Sequence, residues 1–190
     1  MLQSGVMALA AGLLLCTLRV SPLNAADRGA NAPTAKTDQL VPKDQRKPAP
    51  EFSLISSQGT LLKLADYRGK IVLLDFWATW CGGCKIEIPW YMEFDQKYKP
   101  EGLAVIGVSM DEDGWKSVKP FLAQERDPET GGHTAMKYPV VIGNDTLGKA
   151  YNLTSMPMTL LIDRQGKIAL SHTGMVNKDD FERHIQDLLH

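Results

Sequence analysis

The feature that most constrains the fold is a pair of cysteines, Cys81 and Cys84, that follows a short apolar run, KIVLLDF at 70–76. The run is rich in strand-forming residues and has the length of a strand buried on both faces. Beyond Cys84, the apolar residues recur at mixed helical spacing. The sequence therefore predicts a strand, a short loop and a helix, with both cysteines in the first turn of the helix.

The spacing of the two cysteines has a chemical consequence. Two cysteines three residues apart at a helix start meet the distance requirement of a disulfide. Unpaired amide groups and the helix dipole favour an anion at this end, which lowers the pKa of a thiol at the first position. We therefore expect Cys81 to be the nucleophile and Cys84 to resolve the mixed disulfide that Cys81 forms.

Other interpretations of the cysteine pair predict different surroundings. A structural zinc site needs about four ligands, whereas the four histidines are scattered through the last third of the chain. A purely structural disulfide would suit an exported protein, but it gives no reason for the place at a helix start. A peroxidatic cysteine would bring a proline and a threonine upstream, where this chain has Leu74 and Ala78. The structural disulfide and the thiol peroxidase remain the alternatives.

The N-terminus has the pattern of an export signal. Residues 5–18 form an apolar run that is short for a membrane span. Small residues at 23–26 suit a signal peptidase, but Arg19 follows the run instead of preceding it. A retained anchor and a lipid on Cys16 therefore stay open. We predict a signal peptide or N-terminal anchor at 1–26, a flexible linker at 27–50 and one folded domain at 51–190.

Strands and helices alternate along the folded domain. The predicted strands lie at 51–55, 60–64, 70–76, 103–110, 138–142, 159–163 and 167–172. The predicted helices lie at 84–98, 113–126, 146–151 and 178–189, with a loop at 127–134. The first two strands and the last two strands each form a hairpin. This order indicates an α/β sandwich.

Composition excludes several classes of protein. The chain has 21 Lys plus Arg against 22 Asp plus Glu, for a net charge of −1. Because there is no basic excess, we expect no nucleic-acid partner. Hydrophobic residues at 44% and charged residues at 23% are typical of a soluble globular protein. Collagen-like, low-complexity and polytopic membrane proteins are thereby excluded.

Several motifs resemble the thioredoxin superfamily. These are WATWCGGCK at 77–85, with Asp75 before it and Pro89 after it, and MPMT at 156–159, which is similar to the family's cis-proline segment. The lead-in to Cys81 and the loop before Tyr138 are more similar to the exported TlpA/ResA-like branch. The likeness covers roughly residues 48–190. It implies a thioredoxin-like three-layer sandwich with a central mixed sheet and an N-terminal β-hairpin extension.

The resemblance also implies roles for single residues. Asp75 matches the family's buried aspartate, which assists proton transfer at the second cysteine; the alternative is a strand end facing solvent. Glu87 matches an active-site glutamate, and its alternative is an exposed helix carboxylate. The resemblance places a substrate-binding surface on Trp80, Met156, Pro157 and Gly174.

The activity that the resemblance implies is that of an exported thiol-disulfide oxidoreductase, either periplasmic or anchored to the outer face of the cytoplasmic membrane. Several members of this branch serve cytochrome c maturation. We expect the protein to reduce disulfides of client proteins without a metal or cofactor, and a membrane or periplasmic thiol donor to restore the dithiol. The dipeptide Gly82-Gly83 lacks the histidine of strong oxidants, which favours a reductant. The non-catalytic alternative is a thioredoxin-fold binding domain with a structural disulfide.

Overall fold

The computed structural model describes residues 39–126, 131–132 and 135–190, together with Met1. Apart from Met1, the predicted signal or anchor segment at 1–26 lies outside the described residues, as do the first part of the predicted linker (27–38) and most of the predicted loop at 127–134. Of the helices in these described ranges, none is long and apolar enough to cross a membrane.

Within these described residues, five strands form the central sheet and two more form a separate hairpin. The hairpin strands are β1 (Ser53–Ile55) and β2 (Leu61–Lys63); the sheet strands are β3 (Ile71–Trp77), β4 (Leu103–Ser109), β5 (Val140–Ile142), β6 (Met158–Ile162) and β7 (Ile168–Thr173). The order in the sheet is β5-β4-β3-β6-β7. Strands β3, β4 and β5 run parallel, while β6 and β7 pair antiparallel. The predicted central mixed sheet and β-hairpin are confirmed.

Helices cover both faces of this sheet. They are α1 (Gly82–Tyr98), α2 (Trp115–Ala123), α3 (Asp145–Ala150) and α4 (Lys178–Leu189), with short 3-10 turns at Lys43–Gln45, Leu64–Tyr67 and Lys99–Glu101. One apolar core joins the sheet to α1, α2 and α4, and the other joins it to α3 and the β1–β2 hairpin. The predicted three-layer arrangement is therefore present. Helix α2 is shorter at both ends than the predicted 113–126, and it begins after Gly114, whose φ is 57°.

Strand β3 occupies the centre of the sheet, and all seven of its residues are buried. Side chains alternate between the two faces of a strand. Ile71, Leu73 and Trp77 belong to the core that contains α1, whereas Val72, Leu74 and Phe76 belong to the other core. The same alternation directs Asp75 toward α1, although it is an ionisable residue in an otherwise apolar strand.

The folded domain begins earlier than predicted. The segment 41–49, which falls in the predicted flexible linker, lies beside β7. The Val41 amide donates to the Ala169 carbonyl at 2.8 Å, and the Ala49 amide donates to the Gly166 carbonyl at 2.9 Å. An edge strand offers unpaired backbone groups of this kind to a neighbouring segment. The linker prediction for this part of the chain is therefore corrected.

A buried ion pair holds this segment in place. Arg46 Nη1 lies 3.1 Å from Asp163 Oδ2, and each of the two side chains is 6% exposed. Arg46 Nε also donates to the Val41 carbonyl at 2.8 Å. The other Asp163 oxygen accepts from the amides of Gln165 and Lys167, both at 2.9 Å. The pair thus joins the N-terminal segment to the β6–β7 turn.

We predict that Arg46→Ala destabilises the domain by about 3 kcal/mol or more, because it leaves the Asp163 carboxylate buried without its cation. The measurement is urea unfolding of the disulfide form. Lys47→Ala is the matched control, since the Lys47 side chain is exposed and its backbone carbonyl still accepts from Ile168. Equal free energies of unfolding for the two variants would contradict the prediction.

Candidate active site

The two cysteines form a disulfide at the start of α1. The S–S distance is 2.00 Å and the Cα atoms are 5.3 Å apart. Cys81 is the N-cap residue, with extended backbone, and its Sγ accepts a hydrogen bond from the Cys84 amide at 3.2 Å. The structure thus places the pair in the first turn of a helix, as the sequence predicts. Both side chains are buried.

The loop between β3 and Cys81 is fixed by a carboxylate that the sequence analysis did not identify. Asp111, just after β4, accepts hydrogen bonds from the Thr79 amide at 3.0 Å and from the Ser109 hydroxyl at 2.8 Å. The Thr79 hydroxyl donates to it as well. The signal in the sequence was a polar residue directly after a buried parallel strand. This network fixes the backbone that carries Cys81.

Asp75 is buried in β3, on the face of the sheet that packs against α1. It pairs with Gly107 on β4 and with Thr159 on β6. Neither of its carboxylate oxygens has a hydrogen-bond partner in the described part of the chain. Burial raises the pKa of Asp75 well above its ordinary value, and the nearby Glu87 carboxylate raises it further. Ionisation of the Asp75 carboxyl group is therefore disfavoured, and the side chain does not face solvent.

Glu87 is also buried, although it lies in the middle of α1. Its Oε1 accepts a hydrogen bond from the Val176 amide at 2.6 Å. Burial raises the pKa of Glu87 from 4.5 to about 7, and hydrogen bonds from the Val176 amide and the Tyr91 hydroxyl limit the rise. The exposed-helix alternative therefore does not describe this residue. Glu87 can exchange a proton near neutral pH.

A tyrosine that the sequence analysis did not single out lies between these carboxyl groups and β6. The Tyr91 hydroxyl is 2.8 Å from Thr159 Oγ1, and the whole side chain is buried. Burial raises the pKa of Tyr91, and the charges of Asp75 and Glu87 raise it further. Tyr91 stays a neutral hydrogen-bonding group next to both acids. Its position on α1, four residues after Glu87, could have been read from helical spacing.

The predicted cis-proline segment meets the helix start. The Met156–Pro157 peptide bond is cis, and the Pro157 carbonyl accepts from the Gly174 amide at 2.9 Å. Gly174 has a φ of 96°, a backbone conformation that favours glycine. A Cβ atom on Gly83 would lie 3.3 Å from Pro157 Cδ and 3.1 Å from Met175 Cγ. The helix start, the cis-proline segment and Gly174 are thus brought together, as predicted.

Apolar side chains remain exposed beside the disulfide. Trp80 is 68% exposed, Met175 is 51% exposed and Ile86 is 42% exposed. Met156 is partly buried against the core. Trp80 and Met156 are predicted from the motifs of the sequence, whereas Met175 and Ile86 carry no motif of their own and are not. Large exposed apolar side chains grouped in this way are typical of a protein-docking surface.

A family model described as the AhpC/TSA family matches residues 46–171. The chain belongs to this family. It is also 38% identical over 141 residues to "Thiol-disulfide oxidoreductase ResA" of Geobacillus kaustophilus (strain HTA426), which covers 74% of this chain and 75% of that protein. It is 36% identical over 137 residues to "Thioredoxin-like protein YneN" of Bacillus subtilis (strain 168), over 71% of this chain and 75% of that protein.

A solved structure agrees with this family assignment. The "putative Thiol:disulfide interchange protein DsbE from Chlorobium tepidum" is 33% identical, with a TM-score of 0.67, and covers 76% of this chain and 97% of that one. This member of the AhpC/TSA family is therefore a thiol-disulfide oxidoreductase with a thioredoxin-like fold, and its clients are proteins that contain disulfides. The resemblance drawn from the motifs is confirmed. The roles of Asp75, Glu87, Trp80, Met156, Pro157 and Gly174 stay predictions.

The raised pKa of Glu87 makes stability depend on pH. The unfolded chain ionises this residue near 4.5 and the folded chain near 7, so the folded state binds more protons between these values. Folding stability attributable to Glu87 therefore falls as pH rises from about 4.5 to 7, by roughly 3 kcal/mol at most. We predict that Glu87→Gln removes this fall, because glutamine does not titrate.

The measurement is the free energy of unfolding of the disulfide form at about pH 4.5 and pH 8. Glu93→Gln is the control, because Glu93 is exposed on the same helix and pairs with Lys178. The difference between Glu87→Gln and the unaltered chain should grow with pH, while that of Glu93→Gln should not. Parallel pH curves for all three proteins would show that Glu87 does not titrate as described.

Proposed function

We propose that this protein reduces disulfides of client proteins outside the cytoplasm, with Cys81 as nucleophile and Cys84 as resolving cysteine. One observation carries the proposal: the disulfide occupies the first turn of α1, with an exposed tryptophan beside it and two buried carboxyl groups behind it. The reaction uses no cofactor other than the cysteine pair.

In the first step, the Cys81 thiolate attacks one sulfur of the client disulfide. A disulfide between Cys81 and the client forms, the client's own S–S bond breaks, and the second client sulfur leaves as a thiolate. The start of α1 supports this thiolate, since the Cys84 amide already points at Cys81 Sγ. Trp80, Met156 and the backbone around Pro157 would contact the client segment.

In the second step, Cys84 loses its proton and attacks Cys81 Sγ. The internal disulfide forms, the mixed disulfide breaks, and the client sulfur that was bonded to Cys81 leaves as a thiolate, so two electrons have moved from the dithiol to the client. Asp75 and Glu87 are the groups that can take the Cys84 proton. An acceptor must be ionised before the transfer and must keep the proton afterwards. The raised pKa of each acid meets the second requirement, and Glu87, with a pKa of about 7, also meets the first near neutral pH.

The reducing direction is supported by the residues between the cysteines. Gly82 and Gly83 bring no cation to stabilise the Cys81 thiolate, and a less stable thiolate makes a more reducing dithiol. Pro157 and Met175 also leave little room for a side chain at Gly83. The peroxidase alternative has no support at its two upstream positions, where Leu74 and Ala78 are buried apolar residues.

The place of action and the partners belong to the same proposal. The apolar run at 5–18 and the small residues at 23–26 support export to the periplasm or anchoring at the outer face of the cytoplasmic membrane. An exported dithiol needs a membrane or periplasmic thiol donor to restore it after each turnover. The resemblance to the TlpA/ResA-like branch supports cytochrome c maturation as the process in which the clients take part.

We predict that Cys84→Ser accumulates mixed disulfides between Cys81 and client proteins, because the second step has lost its attacking thiol. The measurement is non-reducing electrophoresis of the full chain after rapid acid trapping in cells. The double variant Cys81→Ser/Cys84→Ser is the control, since it keeps Cys16 and removes both site thiols.

Adducts that form with Cys84→Ser and disappear in the double variant support the reductase. The non-catalytic alternative predicts an unreactive Cys81 and no adducts with either variant. Adducts of equal amount in both variants would assign the reactivity to Cys16 instead, and they would contradict the assignment of Cys81 as nucleophile.

A further inference from the structure

A group of buried polar atoms belongs to Asp75 and to two aromatic side chains, Trp77 and Tyr138. Both carboxylate oxygens of Asp75, the indole Nε1 of Trp77 and the hydroxyl of Tyr138 are buried without a hydrogen-bond partner among the described residues. Protein interiors leave few such groups unsatisfied, and internal water commonly supplies the missing bonds.

The sheet brings these three side chains to one face. Asp75 on β3 pairs with Gly107 on β4, which pairs in turn with Val140 on β5. Tyr138 precedes Val140 by two residues and belongs to the same core as Val140 and Trp77. A Cβ atom on Gly107 would lie 3.0 Å from Trp77 Nε1. Glycine at this position therefore allows the indole N–H to lie against β4, next to the strand position of Asp75.

Tyr138 is itself buried, and it also forms part of the wall of a cavity. It lines a cavity of about 550 Å³ together with Pro89 and Asp95. Pro89 has no amide hydrogen, so it interrupts the hydrogen-bond ladder of α1 at this turn. Burial raises the pKa of Tyr138, and the charges of Asp75 and Asp95 raise it further. Both carboxyl groups thus act on this one hydroxyl.

We propose that Tyr138 is a positioning residue for Asp75: its hydroxyl and the Trp77 N–H hold an internal water against the Asp75 carboxyl, and this water carries protons between Asp75 and the cavity at Pro89. The proposal rests on the proposed function, in which Asp75 takes the proton of Cys84. It adds the route by which a carboxyl group sealed behind the disulfide equilibrates with solvent.

The route changes how readily Asp75 ionises. Water and a hydroxyl group solvate the charged carboxylate, so removing the hydroxyl disfavours ionisation, and a smaller fraction of Asp75 is then ionised and able to accept the Cys84 proton. The titratable groups that act on Asp75 are Glu87 and Tyr91 from α1 and Tyr138 from the segment before β5. Cys84 joins them in the dithiol form. Because Glu87 titrates near neutral pH, the test compares whole pH profiles, not single rates.

The test is Tyr138→Phe in the full chain, with the rate of mixed-disulfide resolution followed from about pH 5.5 to pH 9.5 in single-turnover experiments. We expect resolution to slow about tenfold near pH 6.5, the change that corresponds to one pKa unit. Near pH 9.5 the rates of variant and unaltered chain should agree, since Cys84 then ionises without a base. In an Asp75→Asn background, Tyr138→Phe should have no further effect.

Tyr98→Phe is the matched control. Tyr98 is a buried tyrosine whose hydroxyl donates to Glu182 at 2.6 Å and accepts from Gln186 at 2.7 Å, away from Asp75. The Tyr98→Phe variant should have a lower free energy of unfolding, but its pH profile of mixed-disulfide resolution should not change. The proposal would be overturned if Tyr138→Phe slowed resolution equally at all pH values, or if the slowing persisted in the Asp75→Asn background. A pH profile of Tyr138→Phe that matches the unaltered chain would overturn it as well.

A second readout is independent of activity. The infrared carbonyl band of protonated Asp75, assigned by difference from Asp75→Asn in the oxidised protein, should move to higher frequency in Tyr138→Phe, because the water that donates to the carboxyl is no longer held there. An unmoved band would overturn the Tyr138 proposal. A full chain that reduces no client disulfide, yet shows the moved band, would instead overturn the proposed function and leave the role of Tyr138 supported.

Discussion

The burial of two carboxyl groups between the central sheet and α1 is the interaction on which the chemistry of this site depends. Moving an ionisable carboxyl out of water is costly unless the group becomes neutral or finds partners. Asp75 has no partner in the described residues, so it is driven toward its neutral form, whereas Glu87 keeps a bond to the Val176 amide and titrates near 7. The two acids therefore differ in their readiness to hold a proton, although both lie behind the same disulfide. Carboxyl groups at the protein surface would have kept pKa values close to the ordinary ones and would not differ in this way.

The fold buries these two carboxyl groups and at the same time leaves the disulfide region accessible to a protein client. Strand β3 is buried along its whole length and ends where α1 begins, so the disulfide emerges at the edge of the core. Asp111 fixes the loop between them, and the Gly174–Pro157 hydrogen bond positions the cis-proline segment on the other side. The same short region thus presents exposed apolar side chains to a client and holds the proton acceptors away from water.

Local patterns predicted much of this arrangement. Three features can be recognised from a few neighbouring residues: the apolar run of β3, the helix start at the cysteines and the MPMT segment. All three lie where the sequence predicts them. Other features depend on residues far apart in the chain. The Arg46–Asp163 ion pair spans more than a hundred positions, so composition alone made its segment look like a linker. Met175 reaches the site only because Gly174 turns the chain beside Pro157, and Asp111 acts through backbone that pairing of β3 with β4 brings close.

The most direct test of the reductase account is the reduction potential of the Cys81–Cys84 pair, titrated in the full chain against glutathione and dithiothreitol, with Cys16→Ser present to remove the third thiol. The account predicts a value of about −250 mV or lower, together with reduction of a protein disulfide. A value between about −120 and −180 mV would contradict it and indicate an oxidase or isomerase. A disulfide that exchanges with neither buffer would contradict it too, and would identify the cysteine pair as a structural element.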